Sequence, residues 1–379
     1  GISKQSANVG TKPFVLRSSE RVQVIAGGLQ TGPSLLSQDV LQRNSLITGE
    51  QLVEKSLFGF SIPHLPNFSK PQASETEETE QTLSIALKQQ VNFVRNLAKW
   101  KNASFSLRYL WKPSSEHTEI GLLIKGVASP AKSDYLQGAL LKDVHSLLKN
   151  IDIPTTPLTS AREFYTFLSP EDTGHLLEIR QKEVTHHLAM LPNPAYLVYP
   201  FKLSLTSWFP IFKFLTSLSY AAFINIHLQP TYLFPFEKAA LSEAAVKADS
   251  VSRERLQDYY LTREGEISDP VAKLTSRIYL DSLRRLDNPF LVTVQVGSND
   301  LVTAFSLAEV VSNELAEQPL PITNDEQILP SDAETIYADS NENYEKARLT
   351  LNSLDLHNWG QRVIVNEYER IKFLADAST

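Results

Sequence analysis

Leu291–Leu315 reads "LVTVQVGSNDLVTAFSLAEVVSNEL", an apolar strand pattern followed by a polar loop with a glycine and then by an amphipathic helix pattern. Leu122–Leu148, "LLIKGVASPAKSDYLQGALLKDVHSLL", repeats this order. A strand, a short connection and a helix that recur along one chain are typical of a duplicated structural unit. The two stretches therefore predict equivalent halves of one α/β architecture.

The segments around these stretches extend the same theme. Residues 82–150 predict the order α-β-β-α, and the second half alternates strands with helices. We therefore predict an α/β (α+β) fold, with duplicated ferredoxin-like βα units whose helices pack on mixed sheets. The predicted divisions are a small β-rich N-terminal segment at 1–68, an acidic linker or loop at 69–82, a first α/β unit at 83–195, a second at 196–318, and an acidic loop with a terminal helix and strand at 319–379.

The composition excludes several classes of site. The 379-residue chain has no cysteine, which rules out disulfides, thiolate metal ligands and cysteine nucleophiles. Its net charge of −7 gives the whole chain no electrostatic attraction to nucleic acid. The longest uncharged stretch, 214–236, is interrupted by Asn225, His227 and two prolines. Because such groups are costly in lipid, we predict no transmembrane segment and a cytoplasmic protein.

The stretch Gly126–Ser133, "GVASPAKS", is one residue away from the phosphate-loop pattern G-x-x-x-x-G-K-[ST]. Ala131 replaces the second glycine and adds a Cβ where the backbone must approach a phosphate. Pro130 removes one of the N–H donors. Gly126, Lys132 and Ser133 are thus weak candidates for a nucleotide site. We predict instead a tight connection between strand and helix, in which Ser133 or the residue after it, an aspartate, caps the helix.

Two other groups of residues raise the question of function. Glu183, His186 and His187 form half of a two-metal carboxylate pattern on a predicted helix, and no second Glu-x-x-His occurs, so the prediction is a solvated helix face and no metal site. Aromatic residues are concentrated in 196–214, and they cannot all lie on one helix face. Some are therefore candidates for a domain or subunit contact, together with two arginines. The interface candidates are Tyr199, Phe201, Trp208, Phe209, Phe212, Arg284 and Arg285.

Several phrases, taken in order, carry a family resemblance: "LLEIRQKEV", "YLVYPFKLSLTSWFPIFKFL", "FINIHLQPTYLFPFEKAAL" and "NPFLVTVQVGSNDLVTAFSLAEVVSNELA". This series resembles the region ahead of the motor in bacterial ATP-binding proteins of the HerA/FtsK superfamily, which includes HerA-like and conjugation-type ATPases. The ending "ERIKFLADAST" is similar to the segment just before the ATPase core of such proteins.

The resemblance implies the N-terminal portion of a hexameric, ring-forming motor that moves DNA or protein. It implies a homo-oligomer with a protein partner, and nucleic acid contacts only through the parent motor. ATP and magnesium would belong to that motor, because the family's intact phosphate-binding motifs are not in this sequence. No catalytic residue and no cofactor are therefore assigned to this chain. The first residue, Gly1, is not a methionine, and we expect a fragment of a longer polypeptide.

Two other hypotheses stay open. In the first hypothesis, the chain is a stand-alone structural or adaptor protein of a larger bacterial assembly. Duplicated α/β units without a visible catalytic motif suit that role equally well. In the second it is a nucleotide-binding enzyme that uses residues 126–133 as a degenerate phosphate loop.

Overall fold

The computed structural model describes residues 12–26, 28–29, 35–63, 88–171, 173–189, 191–202, 209–253, 269–316, 329–360 and 366–377. These residues form a large sheet of 12 strands and nine α-helices, which confirms the α/β class in its coarse form. Two predicted features, the acidic linker at 69–82 and a strand at 361–365, lie outside the described residues. No helix within the described ranges is long and apolar enough to cross a membrane.

The strands and helices are numbered in chain order. The strands are β1 Leu16–Ile25, β2 Gly28–Leu29, β3 Ile47–Ile62, β4 Ala103–Lys112, β5 His117–Ala128, β6 Thr156–Pro157, β7 His175–His186, β8 Ala195–Tyr199, β9 Ala222–Pro230, β10 Phe290–Ser298, β11 Ala333–Tyr337 and β12 Leu374–Ala375. The helices are α1 Gln38–Arg43, α2 over 88–97, α3 Ser133–Asn150, α4 Ala161–Leu168, α5 Phe209–Leu215, α6 Pro235–Arg253, α7 Pro270–Arg285, α8 Leu301–Leu315 and α9 Asn341–Ser353.

The strands lie in the order β11-β7-β10-β9-β4-β5-β3-β1-β2, with β12 beside β10, β6 beside β3 and β8 beside β7. Every pairing among the described residues is antiparallel, so the prediction of mixed sheets is wrong. The reason is that the crossovers through α2, α3 and α8 each skip one strand. β3 and β4, for example, run parallel to each other but are separated by β5, with which both pair.

One strand pair, β4 and β9, joins the two halves of the sheet. β4 and β9 pair antiparallel over seven residues, with Arg108 opposite Asn225 near the middle. β7 begins within the predicted first unit (83–195), yet it pairs with β10 and β11 from the second half of the chain. The sheet is therefore continuous across the predicted boundary.

The first face of the sheet is apolar and is covered by α3 and α8, which contribute Leu140 and Leu307 to one extensive core. Gly126 lies inside β5, and a Cβ at that position would stand 2.9 Å from Leu140 Cδ1. The glycine thus permits the close approach of α3 to the strand, which is a packing role.

The second face is covered by α4, by α9 and by the chain that follows α9. It has a smaller apolar core that includes Phe164, Phe223 and Trp359. Beside this core lies a row of buried polar side chains. The helix pair α6 and α7 packs against β8 in a further core, which includes Leu241 and Ile278.

The starts of α7 and α3 differ in how they are capped. Asp269 caps α7 and accepts hydrogen bonds from the N–H groups of Val271 and Ala272, as expected for an aspartate before Pro270. At α3 the prediction is wrong, because the N-cap position is Lys132 and no side chain caps it. The Ser133 hydroxyl instead donates to Glu54 at 2.8 Å.

Candidate functional site

The most unusual feature of the described residues is the row of polar side chains on the second face of the sheet, which we call the polar belt. It crosses five neighbouring strands, and each of its members is at most 1% exposed. Burial of so many polar and charged groups is rare unless each has a partner. The members are Ser104, Ser106 and Arg108 from β4, Lys125 from β5, Glu178 and Arg180 from β7, Asn225 and His227 from β9, and Thr293 and Gln295 from β10.

Arg108 is the centre of the belt. Its guanidinium donates to the carbonyl oxygens of Phe167 at 2.5 Å and Leu168 at 2.7 Å, at the end of α4, and to that of Leu351 in the last turn of α9. Its Nε donates to Asn225 Oδ1 at 3.2 Å. Two helix C-termini, each with partial negative charge, thus face one cation. Burial lowers the pKa of Arg108 to about 9, so the side chain is charged at neutral pH.

Lys125 holds the chain just after α9. Its ammonium donates to the carbonyl of Leu354 at 2.9 Å and to the carboxylate of Asp355. Ser104 donates to the same Leu354 carbonyl at 3.1 Å, and Lys55 lies 3.6 Å from Asp355. Burial lowers the pKa of Lys125 to about 8, and the carboxylate of Asp355 opposes this shift.

Glu178 and Arg180 form the third part of the belt. Arg180 Nε donates to Glu178 at 2.6 Å, and its Nη1 donates to the carbonyl of Trp359 at 2.7 Å. The indole of Trp359 donates to Glu178 at 3.0 Å, and Gln295 donates to the carbonyl of Ala347 at 2.9 Å. The guanidinium of Arg180 also lies 4.9 Å and 5.0 Å from the ring centres of Trp359 and Phe373.

These contacts share one consequence for the chain that covers the belt. We call residues 341–360 together with 366–377 the C-terminal segment. The cationic and amide side chains of the belt donate hydrogen bonds mainly to carbonyl oxygens of this segment and of α4. Buried hydrogen bonds to charged groups contribute about 1.5–3 kcal/mol each, so the segment is firmly bound to the sheet. The arrangement holds the backbone of this segment in place, and within the described part of the chain its charged groups face no open cleft.

The residues of the phosphate-loop hypothesis do not converge. Gly126 is inside a strand, Lys132 is exposed in a short 3-10 turn, and Ser133 is 3% exposed and bonded to Glu54. The start of α3 is lined by carboxylates instead, since Arg17 bridges Glu54 and the aspartate after Ser133 at 2.5 Å each. Carboxylates at that position disfavour a phosphate group.

The Glu183 and His186 pattern is on β7, so the prediction of a solvated helix face is wrong there. Successive residues of a strand alternate between faces, and the two side chains therefore point to opposite faces of the strand. Glu183 accepts a hydrogen bond from Tyr196 at 2.6 Å, while His186 lies between the hydroxyls of Thr275 and Tyr199, both at 2.7 Å. Among the described residues there is no group of metal-binding side chains.

The interface candidates are scattered. Phe201 is 4% exposed within the core of the first face, and Phe212 packs on the Tyr109 ring at 5.1 Å. The hydroxyl of Tyr199 is bonded to His186. Arg284 is exposed on α7, whereas its neighbour Arg285 pairs with Asp281 at 2.5 Å. Trp208 and the side chain of Phe209 lie outside the described residues.

An exposed apolar surface is found elsewhere, on the first two turns of α8. Leu301, Val302 and Phe305 are 43%, 72% and 43% exposed, and they line a shallow groove of about 520 Å³. The groove runs along α8 beside the edge strand β11. Its remaining lining residues are Ser306, Glu309, Ser312, Asn313 and Thr335. The signal in the sequence is the run "LVTAFSLAEVV", which has more apolar residues than one helix face can bury.

The sequence matches no family model and no curated protein. A functional assignment therefore depends on the residues and contacts described above.

Proposed function

We propose that this chain is a non-catalytic assembly and partner-binding module of a DNA- or protein-translocating ATPase of the HerA/FtsK type. The observation that carries the assembly role is the exposed apolar groove on α8. The buried charged groups of the polar belt support the same role, because they fix the chain's own backbone. In this proposal the protein is cytoplasmic, and ATP, magnesium and nucleic acid are bound by the parent motor.

The proposed module consists of two ferredoxin-like units joined edge to edge. In such a β-α-β-β-α-β unit the fourth strand lies beside the first, and the third lies between the first and the second. The order β11-β7-β10-β9 fits this rule for residues 175–337, and the order β6-β3-β5-β4 fits it for residues 47–157. The helices α3 and α8 then occupy equivalent positions, which agrees with the repeat in the sequence.

We propose that the partner is a second copy of this chain, bound head to tail. α8 carries two glutamates and no basic residue, whereas the exposed stripe of α3 carries Tyr135, Lys142 and Lys149. Tyr135 is 81% exposed and supplies an aromatic ring for the apolar groove. α3 lies on β3 and β5 and α8 on β7, β10 and β11, so the two surfaces are at opposite ends of the sheet. A head-to-tail contact between unlike surfaces generates closed rings or filaments.

Sedimentation velocity tests this proposal. The unmodified chain is expected to show a mass that rises with concentration. Glu309→Lys and Lys142→Glu are each expected to weaken association, and the double variant to restore it, because the charges are exchanged. Lys238→Glu, on the exposed surface of α6, is the control. Arg284→Glu tests the contact on α7 that the sequence suggested. A strict monomer at every concentration contradicts the proposal.

Two measurements separate the remaining alternatives. Sequencing the reading frame beyond Thr379 distinguishes a motor module, which is followed by an intact phosphate-loop motif, from a stand-alone structural or adaptor protein. Titration calorimetry with ATP tests the nucleotide-binding alternative at 126–133. Binding heat that disappears in Lys132→Ala would establish that alternative, and the absence of heat in the unmodified chain would end it.

A further inference from the structure

Four polar atoms in the polar belt have no hydrogen-bond partner among the described protein residues. They are Nδ1 and Nε2 of His227, Oγ1 of Thr293 and Nη2 of Arg180. The three side chains are at most 1% exposed. A buried polar group without a partner lowers the stability of a fold, and four such atoms would remove a large part of the stability of an ordinary domain.

The three side chains form a short row. His227 and Thr293 are directly opposite each other on β9 and β10. Val294 is opposite Ile179, so the next position places Thr293 beside Arg180 of β7, on the same face. Opposite residues on paired strands have Cβ atoms about 4.5–5.5 Å apart. Neighbouring side chains in this row are therefore close enough for a molecule of the size of water to hydrogen-bond to two of them.

The chemistry of the row selects the ligand. A neutral imidazole has one N–H donor and one acceptor nitrogen, while the guanidinium of Arg180 only donates. A ligand must therefore accept from Arg180 and also donate to His227. A simple anion cannot donate, and a cation is repelled by Arg180, Arg108 and Lys125. Water satisfies both requirements.

We propose that His227, Thr293 and Arg180 form a binding site for ordered internal water, which links β9, β10 and β7 beneath the C-terminal segment. Polar buried sites of this kind hold water with two to four partners. The lowered basicity of His227 agrees with this assignment: burial, together with Lys125 and Arg108, lowers its pKa to about 3 and keeps the imidazole neutral.

Thr293→Val tests the water site, because a bonded and an unbonded hydroxyl predict opposite shifts of the urea midpoint. Valine has nearly the same shape and suits a strand, so the variant is expected to fold. If water bridges the hydroxyl, the variant loses a bonded group and its urea midpoint falls. If the hydroxyl has no partner, valine removes an unsatisfied group and the midpoint stays or rises, which overturns the proposal. Thr350→Val, which removes a known bond to the carbonyl of Asp355, calibrates the loss.

Two further measurements identify the ligand as shared water. Oxygen-17 relaxation dispersion counts long-lived internal waters, and we expect at least one fewer in Thr293→Val and no change in Thr293→Ser. A double-mutant cycle with His227→Leu should show that the two midpoint shifts are not additive, because both residues use the same water. An unchanged count or fully additive shifts would contradict the site.

Discussion

Arg108 in β4 and Leu351 in α9 are 243 positions apart in the chain, and the guanidinium of one donates to the carbonyl of the other. The same guanidinium binds the last carbonyls of α4. One side chain therefore ends two helices that approach the sheet from different parts of the sequence. The positive charge of Arg108 is balanced by carbonyl dipoles from two helices. Even a conservative substitution of Arg108 is therefore expected to destabilise the fold.

Arg108→Met is expected to destabilise the fold by about 3 kcal/mol, because it leaves buried carbonyls of Phe167, Leu168 and Leu351 without a donor. Arg108→Lys keeps the charge but cannot reach all three carbonyls, so a smaller loss is expected. Urea unfolding measures both variants. Arg162→Ala, on the exposed face of α4, is the control and should leave the midpoint unchanged. Equal midpoints for Arg108→Met and Arg162→Ala would contradict the central role of Arg108.

The position of Arg108 also shows where prediction from sequence ends. In "SFSLRYLW" the polar residues alternate with apolar ones, which is typical of a strand. That strand exists as β4, but its polar face is covered by a segment more than 200 positions away. The local pattern of polar and apolar residues predicts β5, α3, β10 and α8, because this periodicity depends only on residues that are close in the sequence. The burial of Arg108 and Lys125 depends on long-range contacts, for which the sequence has no local signal.

Lys125 predicts a stability change in mild alkali. Its pKa is about 8 in the folded protein and 10.5 in the unfolded reference. Between these values the unfolded chain binds more protons, so this lysine makes the free energy of unfolding rise with pH. The double variant Lys125→Met, Asp355→Asn lacks the titrating pair. The difference in unfolding free energy between the unmodified chain and this variant should increase from pH 8 to pH 10, and a constant difference would contradict the assignment.

His227 predicts a pH dependence of the same sign in the acid range. Its pKa is lowered from 6.5 to about 3, first by burial and then by Lys125 and Arg108. Below pH 6.5 the unfolded chain takes up a proton that the folded protein does not, so stability falls as the pH is lowered toward 3. His227→Gln should make this fall less steep, by up to about 1.4 kcal/mol per pH unit. His117→Gln, on an exposed residue, is the control, and identical slopes in both variants would refute the prediction.

Two glycines of the β5 and α3 unit give a matched pair. A Cβ on Gly126 would stand 2.9 Å from Leu140 and 3.2 Å from Leu136, whereas a Cβ on Gly138 of α3 would meet no atom within 4 Å. Gly126→Ala should therefore destabilise by about 1–3 kcal/mol through overpacking. Gly138→Ala should stabilise by up to about 1 kcal/mol, because alanine favours the helix.

Thermal and urea unfolding measure both changes, and the signs should be opposite. The same pair separates packing from nucleotide binding at residues 126–133. If Gly126 serves only to admit α3, its replacement shifts the unfolding midpoint and ATP has no effect on that midpoint in either variant. If Gly126 were part of a phosphate loop, ATP would raise the midpoint of the unmodified chain and of Gly138→Ala, and Gly126→Ala would lose this stabilisation. The position of Gly126 within β5 favours the first result.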